Sequence, residues 1–158
     1  MDNTTLTLEQ KAVNFDTMRH IDNVRRILNE LAFVLIQRGM DHDKTKLDVP
    51  EVDLFVKYTP ELAKTQYGSP EYQEALKGLK PALDHHYANS RHHTEHFKEG
   101  INDMNLIDLL EMFADWKAAT MRQKDGNLRK SIEFNANKYG ISPQLIRIFE
   151  NSIELVDK

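Results

Sequence analysis

Residues 21–51 read IDNVRRILNELAFVLIQRGMDHDKTKLDVPE. In the first half of this stretch Ile21, Val24, Leu28, Leu31 and Leu35 recur at steps of three and four, the spacing that places side chains on one face of an α-helix. The predicted helix runs from about Asp16 to Arg38, with Gly39 as its stop. The second half sets His42 and Asp43 side by side, with Lys46 three residues on. An imidazole, a carboxylate and an ammonium therefore meet at a helix junction.

Working outward, a short helix is expected from about Glu51 to Tyr58. Ser69 and Pro70 open another, as cap and first helical residue, and Pro81 is expected to kink or break it. RHHTEHFKEGIND, residues 91–103, reads as a loop. Helices follow over about Leu106 to Arg122, Leu128 to Lys138 and Ser142 to Val156, with Asp125-Gly126 as a turn between the first two. No segment alternates with a period of two, so the expected class is all-α. The chain reads as a single domain over residues 1–158, a helical bundle of about six helices in which residues 127–157 form a supporting pair.

Composition narrows the function. A chain of 158 residues buries roughly two-thirds of its unfolded surface and needs no staples. It contains no cysteine, which excludes disulfides, thiolate zinc sites and cysteine nucleophiles. Any metal must be held by His, Asp or Glu. With 21 Lys and Arg against 25 Asp and Glu, the net charge of -4 provides no basic field for non-specific nucleic-acid binding. The longest apolar run, LAFVLI, is far too short to cross a membrane, and the polar start MDNTTLTLEQ lacks the pattern of a signal peptide. A soluble protein of the cytoplasm is the expectation.

The chemistry lies where polar residues fall on apolar stripes. His20 precedes Val24 by one turn and sits at the edge of the first helix's apolar face. Five of the seven histidines lie between residues 85 and 96, and of these His86 follows Leu76, Leu79 and Leu83 at helical steps. That favours His86 over His85 as the inward member of its pair. Asp115 is surrounded by Met112, Ala118 and Ala119, which would leave a lone carboxylate poorly solvated. Taken singly, each has an ordinary explanation. A histidine on an apolar face can be a hydrogen-bonded core residue, Asp115 can pair with Lys117, Arg122 or a histidine, and Asp43 can cap the next helix. Taken as a set, four segments bring imidazoles and carboxylates inward, and such ligands suit manganese, iron, magnesium, nickel or zinc.

In order, these residues resemble the HD-domain superfamily of metal-dependent phosphohydrolases, the likeness covering roughly residues 18–122. His20, His42, Asp43 and Asp115 match that family's minimal ligand set, HDKTK resembles its His-Asp-x-x-Lys form, and FADWKAAT is similar to its ADxxDALT segment, with Trp116 and Lys117 as departures. The histidine-rich segment resembles the extra ligands of the two-metal branch, which implies His86 and His93 as further ligands; His86 precedes Asp115 by 29 residues. The chain is also similar to a small HD-like family of phages and bacteria, so that a phage-encoded member would act in the host cytoplasm. The signature of the cyclic-dinucleotide branch is absent, since Tyr87 follows the histidine pair.

The resemblance implies one or two divalent ions and a nucleotide, cyclic nucleotide or oligonucleotide phosphate ester as substrate. Asp43 or a bridging position would hold the attacking water in line with phosphorus, Lys46 and Arg91, with Lys117 as an alternative, would neutralise phosphoryl charge, and His92, His93 or His96 would protonate a leaving group where not ligated. Three other readings stand beside this one. His92 to His96 fits the His-x-x-Glu-His motif of inverted zincins. Some HD-type sites are di-iron oxygenases. A non-catalytic helical protein would bind a partner through Trp116, Tyr87 and Phe97, and the carboxy-terminal helices offer a surface for a homodimer.

Overall fold

Thr7 and Gln10 cap the first helix reciprocally: the Gln10 N–H donates to Thr7 Oγ1 at 3.1 Å and the Thr7 N–H to Gln10 Oε1 at 2.8 Å. From this start α1 spans Leu8–Asp41 in the computed structural model, which describes residues 6–66, 69–122 and 124–157. The helix is longer at both ends than its apolar stripe predicts, and Gly39 does not stop it. A Cβ at Gly39 would meet nothing, and a glycine inside a helix costs only about 1 kcal/mol. The left-handed residue that ends the run is Asp43 instead, at φ 57°.

Contacts divide the chain into two units, residues 1–40 and 41–158. Among its described residues the first contains one helix and no second layer. Its stripe residues Ile21, Val24, Leu28 and Leu31 are exposed, and so is His20.

The second unit contains α2 (Glu51–Lys64), α3 (Pro70–Asn89), α4 (Leu106–Met121), α5 (Leu128–Tyr139) and α6 (Pro143–Val156), with short 3-10 turns at Lys44–Leu47, Thr94–His96 and Gly100–Asp103. Local chemistry sets most of the starts. Ser69, Asn127 and Ser142 each accept a backbone N–H three residues ahead, and Asn105 forms a full capping box with Asp108. Gly140, at φ 62°, ends α5 in the left-handed region.

Two expectations give way here. α2 runs through Pro60 instead of stopping near Tyr58, and α3 runs unbroken through Pro81. A proline inside a helix costs about 3 kcal/mol, but α2 and α3 pack along each other, and α3 buries Ala75, Leu79, Ala82 and His86. Burying a leucine such as Leu79 returns about 2 kcal/mol, and the alanines let the backbones come close. Residues 91–103, expected as a loop, hold two of the 3-10 turns.

α4 packs on α5 and α6. Their shared core is Met112, Phe113, Trp116, Leu128, Ile132, Ala136, Ile141 and Phe149. The Phe113 and Phe149 rings stack at 5.7 Å, and Trp116 meets Phe149 edge-on at 5.4 Å. Trp116 is therefore a core residue, 7% exposed, and not a surface for a partner. The chain is all-α, with six α-helices and no strand among the described residues. No helix among them is long and apolar enough to cross a membrane.

Candidate metal centre

Asp43 is the pivot of the site. Its backbone at φ 57° and ψ 11° lies in a region that costs a non-glycine residue about 1 kcal/mol or more, least for Asp and Asn. The turn is closed by the Lys46 N–H donating to the Asp43 carbonyl at 2.9 Å. Lys46 Nζ then donates to Asp43 Oδ2 at 2.7 Å. This conformation turns the carboxylate of Asp43 and the ring of His42 toward the end of α3 and one face of α4.

Around Asp43 Oδ1 three imidazole nitrogens converge. His86 Nε2 is 3.3 Å away and His92 Nε2 3.5 Å, while His86 Nε2 and His93 Nε2 face each other at 3.0 Å. On the other side His42 Nε2 stands 3.6 Å from both Asp43 Oδ2 and Asp115 Oδ1. Donor atoms of Asp43, His86, His92 and His93 lie within 4.8 Å of one another, and so do those of His42, Asp43 and Asp115. Asp43 belongs to both groups.

The residues present fit a divalent cation. Asp43 Oδ1 and His92 Nε2 are buried and have no hydrogen-bond partner, a costly arrangement unless something fills the space between them. Imidazole and carboxylate donors without thiolate suit manganese, iron, nickel or zinc. In a third grouping, His42, His92 and Glu111, Glu111 Oε1 is hydrogen-bonded with His42 Nδ1 at 3.0 Å and lies 3.0 Å from His92 Nδ1. Behind His86 stands Glu51, wholly buried at the start of α2. Its Oε2 is 3.1 Å from His86 Nδ1, and its Oε1 accepts from His85 Nδ1 at 2.7 Å.

The electrostatics sort the candidate ligands. The hydrogen bonds to Asp115 and then Glu111 raise His42 to about 10, against the pull of burial. Burial, with the nearby charges of His92 and His86, lowers His93 to about 3. Burial works against ionising Asp43 and Asp115, but the adjacent His86 ring and the Lys46 ammonium in the first case, and the adjacent His42 ring in the second, hold both below the usual carboxylate range. In the metal-free chain at neutral pH, His42 carries a proton and His93 presents a free lone pair.

Of the residues singled out from the sequence, the structure brings together His42, Asp43, Lys46, His86, His93 and Asp115. His20, on exposed α1 in the first unit, is in none of the groups. Arg91 is committed elsewhere: its Nε and Nη2 donate to Asp108 Oδ1 and Oδ2 at 3.0 and 2.9 Å, and its guanidinium lies over the Phe97 ring. A phosphoryl role for Arg91 would break a bidentate pair to a carboxylate that has no exposure. Lys117 is paired with Asp157.

His96 Nδ1 faces the Tyr87 carbonyl at 2.8 Å, and His96 is in none of the groups. Sequence reasoning left His92 as an alternative and did not reach Glu111 or Glu51. The signal for Glu111 was available, since it precedes Asp115 by one helical turn. Nothing in the sequence points to Glu51.

A model of a family described as a family of unknown function (DUF5662) matches residues 9–155. No curated protein and no solved structure matches the chain.

Proposed function

The chain belongs to that family over nearly its whole length, and we propose that it is a metal-dependent phosphohydrolase acting on a nucleotide, cyclic nucleotide or oligonucleotide phosphate ester. The observation that carries this reading is the placement of Asp43, whose Oδ1 faces His86 and His92 while its Oδ2 faces His42. One carboxylate between two donor groups is the arrangement a pair of divalent ions requires. His86, His92, His93 and Asp43 would hold one ion; His42, Asp43 and Asp115 the other. Ions bound there acidify a water and draw charge from a phosphoryl oxygen.

The protein's own groups do the rest. Lys46, about one-third exposed beside Asp43, supplies a positive charge for phosphoryl oxygens at the open side of the site. His93, held neutral, offers nitrogen without first losing a proton. The buried carboxylates behind the rings keep them from rotating.

The convergence of four imidazoles, from His42, His86, His92 and His93, favours a second reading, a di-iron oxygenase, since imidazole also suits iron. Metal analysis by mass spectrometry on untagged, chelator-free protein, beside Asp43→Ala, separates the two. One or two equivalents of manganese, nickel, zinc or magnesium, lost in the variant, together with hydrolysis of a phosphoester panel, support the hydrolase. Iron with oxygen consumption supports the oxygenase. Metal absent from both proteins after reconstitution overturns both readings.

A further inference from the structure

Glu111 and Glu51 both stand behind metal-facing histidines, but they differ in what they hold. Glu111 Oε1 is 3.0 Å from Nδ1 of His42 and 3.0 Å from Nδ1 of His92. Glu51 Oε2 is 3.1 Å from Nδ1 of His86 alone among the metal-facing rings, and its Oε1 serves His85, whose side chain is 41% exposed. Glu111 therefore touches one ring from each donor group, and Glu51 touches a ring from one group only.

We propose that Glu111 is a positioning residue shared by the two metal positions, fixing His42 and His92 in the tautomer that turns Nε2 toward the centre. This rests on the two-position reading of the site given above. An ionised carboxylate can only accept, so a ring nitrogen at hydrogen-bond distance from it must carry the proton. With the proton on Nδ1, the lone pair is on Nε2, which in His42 faces Asp43 and Asp115 and in His92 faces Asp43. His86 needs the same argument more, because Nδ1 also lies 3.1 Å from Thr45 Oγ1 and 3.3 Å from Ser90 Oγ. Either hydroxyl could donate to Nδ1 and leave the proton on the wrong nitrogen; the negative charge of Glu51 Oε2, 3.1 Å from Nδ1, favours the proton there instead, so that the hydroxyls accept. The consequence is an asymmetry. Removing the charge of Glu111 loosens a ligand of each position, and removing that of Glu51 loosens a ligand of one.

The test is a competition titration of the full chain, stripped of metal, with Zn2+ and separately Co2+ against a chromophoric chelator. It compares the unsubstituted protein, Glu111→Gln and Glu51→Gln, with circular dichroism of each. The expected result is two equivalents for the unsubstituted protein, both affinities lowered about 10- to 100-fold in Glu111→Gln, and one of the two lowered in Glu51→Gln. Two equivalents with Glu111→Gln weakened at one position, or at neither, overturns the shared role and leaves the metal-site reading standing. Fewer than two equivalents in the unsubstituted protein overturns that reading as well.

Should Glu111→Gln not fold, long-range 15N–1H spectra of the zinc-loaded unsubstituted protein decide the matter. Ring protons on Nδ1 of His42 and His92 support the inference, and protons on Nε2 overturn it.

Discussion

Raising the pH should strengthen metal binding at the position built from His42, Asp43 and Asp115, by an amount set by a single proton. His42 is raised to about 10 by its hydrogen bonds to Asp115 and Glu111, so at pH 7.5 its Nε2 must release a proton before it can act as a ligand. A gap of 2.5 pH units corresponds to about 3.4 kcal/mol. With a quarter of the His42 side chain exposed, solvent screening reduces the effective penalty to about 2 kcal/mol.

The position built around His93, which burial lowers to about 3, carries no such penalty from that ring. Affinity measured against a chelator of known titration between pH 6.5 and 9 should rise about tenfold per pH unit at the first position. Calorimetry in two buffers of different ionisation enthalpy should report at least one proton released per ion there. A flat affinity over that range, or release below one proton, refutes the assignment of His42 Nε2 as a ligand.

The metal-free fold should respond in the opposite direction. Because the folded pKa of His42 lies above its ordinary 6.5, its contribution to stability is fully present below pH 6.5 and is lost as pH rises toward about 10. His93 acts in the other window. Its folded pKa lies below 6.5, so stability falls as pH drops from 6.5 toward about 3. Thermal melts of stripped protein across pH 5 to 9 check both slopes; a melting temperature that climbs steadily with pH across this range would contradict the ion pair between His42 and its carboxylates.

Two substitutions test the scaffold. Arg91→Ala should strip the wholly buried Asp108 carboxylate of its bidentate guanidinium partner, destabilising the chain by about 2 kcal/mol without changing metal content; metal loss at unchanged melting temperature would instead restore Arg91 to the site. At Gly126 an added Cβ would lie 1.8 Å from the Thr120 carbonyl oxygen. Gly126→Ala should therefore lower the urea midpoint, with a loss of about 2 kcal/mol or more, and an unchanged midpoint would refute the close approach between the end of α4 and the turn before α5.

The parts of this architecture that are written locally were legible. Ser69 with Pro70, the period of Leu106 to Arg122, and Ser142 mark helix starts by chemistry within four residues of themselves, and the structure places α3, α4 and α6 there. The errors came where packing overrides a local rule: Pro60 and Pro81 are tolerated because α2 and α3 cover each other, and Gly39 lies inside a helix that Asp43 ends.

The site divides along the same line. Adjacency marks His42 and Asp43, and helical period marks His86 and Asp115. Which histidine of the 91–97 turn faces inward depends on Arg91 being held by Asp108 and His96 by the Tyr87 carbonyl. Those contacts join residues on different elements, so no local pattern announces them.

The two faces of α4 have one more consequence. Glu111 and Asp115 line the candidate metal centre, while Met112, Phe113 and Trp116 enter the core. Trp116 is the chain's single tryptophan and follows Asp115 directly. Its indole meets Phe149 edge-on, so any shift of α4 that accommodates an ion at Asp115 changes the quenching environment of the only strong fluorophore in the molecule. The protein thus carries an optical reporter one peptide bond from its own site, readable on the unlabelled chain.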